Sequence, residues 1–135
     1  KGQGAFCNGK RLHVSDIANP KNSTVSYTCG YLAKRERVVR FKSTLLDGHV
    51  KRFLDLWSPA FTYCHLAAGR VEAIITDDIE LYDFAAGKLI AREAGALITN
   101  LDGSLGNKDI DSAFLVSNGT ELHQYLVENV ILPNA

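Results

Sequence analysis

Residues 74–87 read Ile-Ile-Thr-Asp-Asp-Ile-Glu-Leu-Tyr-Asp-Phe-Ala-Ala-Gly, or IITDDIELYDFAAG. An apolar run enters the stretch and a small-residue segment leaves it. Between them Asp77, Asp78, Glu80 and Asp83 place four carboxylates within seven positions, with no Lys or Arg among them. Residues 70–76 lead in with an Ala-Ile-Ile run that predicts a strand buried on both faces. Residues 83–94 predict a helix, closed by Gly95.

Carboxylates this close repel one another. If they converge, some are protonated or a cation sits among them. The loop leaves the carboxyl end of a strand, where open α/β sheets tend to bind ligands. A helix start also offers free N–H groups to an anion. One reading makes Asp83 a ligand for a hard divalent ion such as Mg²⁺, which takes oxygen ligands and bridges to phosphate. The plainer reading makes Asp83 an N-cap, worth about 1 kcal/mol, and the other three a solvated acidic turn. Strand-end and turn residues point different ways, so one or two of the four can converge. A closed metal site needs ligands from elsewhere.

Upstream, Asn8-Gly9 between residues 5–7 and 11–14 predicts a hairpin with a type I′ turn. Residues 24–28 alternate as a strand. Residues 32–46 predict a helix with Leu32, Val38, Val39, Phe41 and Leu45 on an apolar face. Its Lys34, Arg35, Arg37 and Lys42 suit a solvated face or a phosphate. Residues 50–56 predict a strand. Ser58 is a natural N-cap, Pro59 suits the first turn, and Gly69 stops the helix between them. Downstream, strands are predicted over 96–101 and 113–117 and a last helix over 120–130. Strands alternating with helices predict a layered α/β sandwich with a mostly parallel mixed sheet.

Composition narrows the function classes. The chain has 135 residues, suited to one domain, and is 46% hydrophobic. Fifteen basic residues balance fifteen acidic ones, so charge gives no argument for a nucleic-acid partner. No apolar run approaches the ~20 residues that cross a bilayer. Cys7, Cys29 and Cys64 form no CxxC pair, which favours reduced thiols and a cytoplasmic location over a zinc site. The four histidines lack ligand spacing. The chain has no Met and opens as if in the middle of a sheet, which suggests a piece of a longer protein.

Tyr82-Asp83-Phe84-Ala85-Ala86-Gly87, followed by Glu93-Ala94-Gly95-Ala96, resembles the second signature of the inositol monophosphatase family, W-D-x-A-A-G and then E-A-G-G. Residues 66–73, LAAGRVEA, resemble its A-A-G-R-x-D-A. Residues 1–9, KGQGAFCNG, resemble its G-x-G-A-F-x-N-G hairpin. The order matches from end to end. The resemblance implies the C-terminal half of a Mg²⁺-dependent phosphatase that hydrolyses small phosphomonoesters, with residues 1–135 as its C-terminal α/β subdomain. It implies a metal-ligand role for Asp83. The family's mechanism uses two or three Mg²⁺ ions to activate water and stabilise the leaving oxygen.

Four departures qualify the transfer. The family's G-E and D-P-x-D-G-T metal motifs are absent, so the chain alone is expected to be inactive and to need the missing N-terminal half as a partner. Tyr82 replaces the usual Trp. Trp57-Ser58-Pro59-Ala60 replaces G-[ST]-A-A, where Ser58 keeps the hydroxyl and Trp57 adds bulk. The position seven before the metal Asp, a substrate-contacting Glu in many members, is Thr76 with Asp77 beside it. Ser58, Thr76 and Asp77 are the candidate substrate-binding residues. The substrate expected is a small phosphomonoester such as an inositol or sugar monophosphate. A 3′(2′),5′-bisphosphate nucleotidase, a histidinol phosphatase and a catalytically dead binding module are the alternatives. A homodimer is possible, as members are commonly dimers.

Overall fold

The computed structural model of the chain describes residues 1–135. A hairpin comes first, β1 (Phe6–Cys7) against β2 (Lys10–Arg11). Asn8 and Gly9 between them take positive φ, 50° and 77°, as a type I′ turn requires. The other strands are β3 (Thr24–Cys29), β4 (Arg52–Leu54), β5 (Ala73–Asp77), β6 (Leu97–Thr99) and β7 (Phe114–Ser117). They form one sheet in the order β4-β3-β5-β7-β6. β4, β3 and β5 are parallel, and β7 is antiparallel to β5 and to β6. This is the mostly parallel mixed sheet that the sequence predicts.

The helices are α1 (Arg35–Thr44), α2 (Pro59–Ala67), α3 (Leu81–Glu93) and α4 (Glu121–Leu126). They cover the sheet on both sides. On one face Val25, Tyr27, Ala73 and Ile75 pack with Phe41 of α1 and Leu122 and Leu126 of α4. On the other, Ile74, Phe114 and Val116 pack with Tyr63 and Leu66 of α2 and Phe84 and Ala91 of α3. Successive residues of β5 thus enter opposite cores, which is why its sequence is apolar without alternation. Each fully buried large side chain contributes roughly 1.5–3 kcal/mol by leaving water.

Three helices, α1, α3 and α4, start or end away from the sequence reading, and β4 and β6 are shorter than it predicts. α1 begins at Arg35, leaving Tyr31 and Leu32 exposed, and ends in a wider turn, Leu45–His49, where Gly48 takes φ 83°. α3 begins at Leu81, because Glu80 holds the extended backbone of an N-cap. Asp83 is therefore a first-turn residue, not the cap. α4 ends at Leu126 and continues as wider and tighter turns to Asn134. The Asn134 amide donates to the Val130 carbonyl and the Thr44 hydroxyl, tying this end to α1.

The α2–α3 contact explains one small residue of the Ala85-Ala86-Gly87 run. A Cβ on Gly87 would lie 2.4 Å from the Tyr63 ring. Ala85 and Ala86 are exposed, so the steric demand is local to Gly87. At the far end of α3, Glu93 accepts the N–H groups of Gly2 (2.6 Å) and Gly4 (2.7 Å) and so holds the segment that leads into the hairpin. Those amides keep its carboxyl below the usual range.

His123 joins β6, β7 and α4. Thr99 Oγ1 donates to the Asn100 carbonyl and so accepts from His123 Nε2 at 3.0 Å. Ser117 Oγ accepts the Gly119 N–H and donates to Nδ1 at 2.7 Å. This network holds a neutral imidazole protonated on Nε2. Burial pushes the His123 pKa below its ordinary 6.5. Between the two pKa values the unfolded chain binds the extra proton, so stability rises with pH up to about 6.5 and is lost as pH falls below it. We expect urea midpoints to fall between pH 7.5 and 5.5, with a smaller fall in His123→Gln. An equal fall in both proteins would remove His123 as the cause.

Candidate active site at the strand exits

Two adjacent strands send the chain to opposite faces of the sheet. β3 leads to α1 on one face, and β5 leads to α3 on the other. The crevice between their carboxyl ends is a topological switch point, where open α/β sheets bind ligands. Gly30 closes the bottom of it. Its N–H donates to the Asp77 carbonyl at 2.9 Å. A Cβ there would lie 1.8 Å from the Asp78 carbonyl oxygen, so only glycine lets the β3 exit lie against the turn after β5.

The four carboxylates of the opening stretch do not converge. Asp77 is fully buried, ion-paired to Arg37 of α1 through both oxygens, and accepts the Tyr27 hydroxyl at 2.9 Å. Burial pushes the Tyr27 phenol well above its ordinary value, with the negative groups of Cys29 and Asp55 adding to the rise and Arg37 opposing it. Asp78 takes a left-handed backbone, φ 56°, and accepts the Ser112 hydroxyl at 3.2 Å. Glu80 is exposed at the α3 cap. Asp83 is half-buried in the first turn of α3, and its carboxylate has no partner in the chain. A carboxylate in that turn also faces the positive end of the helix dipole.

Of the predicted site residues, Ser58 and Asp83 stand at this edge. Ser58 is exposed at the start of α2, and its hydroxyl makes no cap bond. Thr76 and Asp77 turn inward. Thr76 is fully buried, and its hydroxyl meets the Tyr63 hydroxyl at 2.8 Å. The α2 and α3 N-termini lie beyond β4 and β5, so both present free N–H groups on this side.

Asp83 fits a hard cation as one oxygen ligand. No group of three or more His, Cys, Asp or Glu side chains gathers to hold a metal ion. A concavity of about 720 Å³ lies elsewhere, between the hairpin and the outer side of α2 and α3. Its one carboxylate, Glu93, is already bonded to Gly2 and Gly4, so the chemistry favours the strand exits.

The description of the inositol monophosphatase family matches residues 1–131. The chain belongs to the inositol monophosphatase family. Within that family it is 32% identical over 136 residues to a fructose-1,6-bisphosphatase/inositol-1-monophosphatase from Thermotoga maritima, covering 96% of this chain and 48% of that protein. It is 38% identical over 117 residues to a fructose-1,6-bisphosphatase from Pyrococcus furiosus, covering 84% of this chain and 39% of that one. The solved Thermotoga maritima IMPase superposes with a TM-score of 0.80 at 32% identity, over 96% of this chain and 48% of that one. The chain thus spans about half the length of the curated relatives it matches. Both of these relatives are phosphatases by name.

Several residues at the site escape a reading of the sequence. Arg37 lies 40 positions from Asp77, and nothing local marks the pair. Lys88 is fully buried on α3, donating to the carbonyls of Lys108 (2.5 Å) and Asp111 (3.4 Å), with its ammonium 4.1 Å from the Phe114 ring centroid. Burial pushes its pKa below the ordinary lysine value. The loop it clamps supplies the Ser112 hydroxyl to Asp78 and the Ser112 carbonyl to the Ile79 N–H, 3.4 Å away. A helical lysine directly after an Ala-Gly pair gave no signal of that kind.

Proposed function

We propose that the chain is the C-terminal part of a Mg²⁺-dependent phosphatase that hydrolyses small phosphomonoesters such as inositol or sugar monophosphates. The observation that carries this reading is Asp83, an unpartnered, half-buried carboxylate at the mouth of α3, at the carboxyl end of parallel strands. Asp83 holds the metal. A divalent ion there supplies Lewis acidity and neutralises charge on the phosphate. The first-turn N–H groups of α2 and α3 orient the anion, and the free Ser58 hydroxyl donates to it. Asp83 is the one half-buried carboxylate of the 74–87 stretch without a partner, so the other ligands come from a further segment, the N-terminal half of the family's fold. The chain alone is therefore inactive.

The three thiols are unpaired, which supports a cytoplasmic setting. No helix is long and apolar enough to cross a membrane. Exposed Val39, Leu46, Leu105 and Ile110 give apolar area for the other half or for a second copy.

The test is phosphate release with Mg²⁺, on the 135-residue chain and on the full-length protein that carries it, against inositol, sugar, nucleotide and histidinol phosphates. Full-length protein should turn over and the chain alone should not. Asp83→Asn in the full-length protein should lower the rate at least about 100-fold, or ~2.7 kcal/mol of barrier. Turnover by the chain alone, or full activity in Asp83→Asn, would defeat the assignment.

A further inference from the structure

The hairpin stands on α2 and α3 through small side chains. Ala5 packs against Ala67 and Ala94, with Leu12 and Ile90 beside them. Contacts this small fasten the hairpin along one line and leave the space outside it unfilled, which is the concavity of about 720 Å³. That volume is in the range of small-molecule pockets. Phe6, Ala68, Leu89 and Ile90 wall it, and Phe6 is 55% exposed. Lys10 and Arg70 open onto the same space, and neither is ion-paired in the chain. Both oxygens of Glu93 are held by the Gly2 and Gly4 amides. Apolar walls thus meet unpaired positive charge, with no unbonded carboxylate beside it.

We propose that this concavity binds an amphipathic anion, an oxyanion head on an aliphatic tail, as in a medium-chain carboxylate. The tail lies against Phe6, Leu89 and Ile90, and its burial supplies most of the affinity. Arg70 and Lys10 hold the head through charge-assisted hydrogen bonds. The lining selects this class. A polyol phosphate finds few groups along such walls to read its hydroxyls. An uncharged apolar molecule leaves the two cations unused, and a cationic one is repelled. The proposal does not depend on the role of Asp83, which stands at the strand exits.

Cys7 and Cys64 are exposed and line the concavity, whereas Cys29 ends β3 and packs on the other face of the sheet. Their alkylation by iodoacetamide, followed for each thiol by mass spectrometry, reads the site without any turnover. Saturating decanoate, kept below its micelle concentration, should slow Cys7 and Cys64 about tenfold or more and leave Cys29 unchanged. Octanoate, two methylenes shorter, should need roughly tenfold more for the same protection. Decyltrimethylammonium carries the same tail and should not protect. A Lys10→Gln/Arg70→Gln variant removes only exposed, unpaired charges. Its circular dichroism should be unchanged, while protection should need about tenfold more decanoate. No protection by decanoate, equal protection by the ammonium, or unchanged protection in the variant overturns the proposal. The full-length protein is alkylated in the same way. Thiols already shielded there, with no effect of decanoate, would give this face to the other half and overturn the proposal as well.

Discussion

Replacing Arg37 with Met should destabilise the chain by about 3–5 kcal/mol, measured by urea unfolding at pH 7. Asp77 has no exposed surface, and Arg37 is the one cation bonded to it. The substitution keeps most of the side-chain volume and removes the charge. A buried carboxylate is then left with the Tyr27 hydroxyl alone. That penalty is a large share of the roughly 5–15 kcal/mol by which a domain is stable. The size of the loss does not measure the worth of the pair, since much of it is the desolvation of an uncompensated charge. A second variant separates the two. Arg37→Met with Asp77→Asn removes the stranded charge and should recover more than half of the loss. A single-variant loss below about 1 kcal/mol, or no recovery in the double variant, would show that water reaches Asp77 and that the pair is a surface contact.

Phe84→Ala should lose a similar amount, about 3–5 kcal/mol, with a melting temperature shifted to match. Phe84 is fully buried, meets Phe114 edge to face at 5.2 Å, and lies 5.4 Å beneath the Lys88 ammonium. Truncation removes its transfer energy, leaves a cavity, and breaks an aromatic pair worth roughly 0.5–1.5 kcal/mol beyond area. Phe84 also neighbours Asp83, so its ring fixes the first turn of α3 on the sheet. Phe84→Leu should cost less than half as much, because most of the volume stays. If Leu and Ala cost the same, the aromatic contacts and not the volume set the energy.

The sequence makes much of this architecture legible because its signals are local. Asn8-Gly9 specifies a turn through its own backbone preferences, and the Ala-Ile-Ile run of β5 announces two covered faces. That same run also carried a warning about the site. A strand buried on both faces continues inward through its last residues, and Thr76 and Asp77 are those residues. Their burial follows from the strand that the sequence announced, although their resemblance to a substrate-contacting position points outward. Arg37 was hidden for a different reason. Four basic residues on one helix look solvated, and only the packing of α1 over β3 and β5 turns one of them onto a carboxylate 40 residues away. The start of α3 moved because Ile79 is buried, which draws the chain into helix before Asp83. The helix that carries Asp83 was legible through its small-residue run, of which Gly87 alone is sterically required.

The sheet's two outer strands, β4 and β6, are three residues long, and β4 begins at an exposed arginine next to an exposed lysine. Unpaired strand edges are templates on which other chains add strands, and brevity with charge blunts them. This fold thus carries its own protection against fibril-like growth.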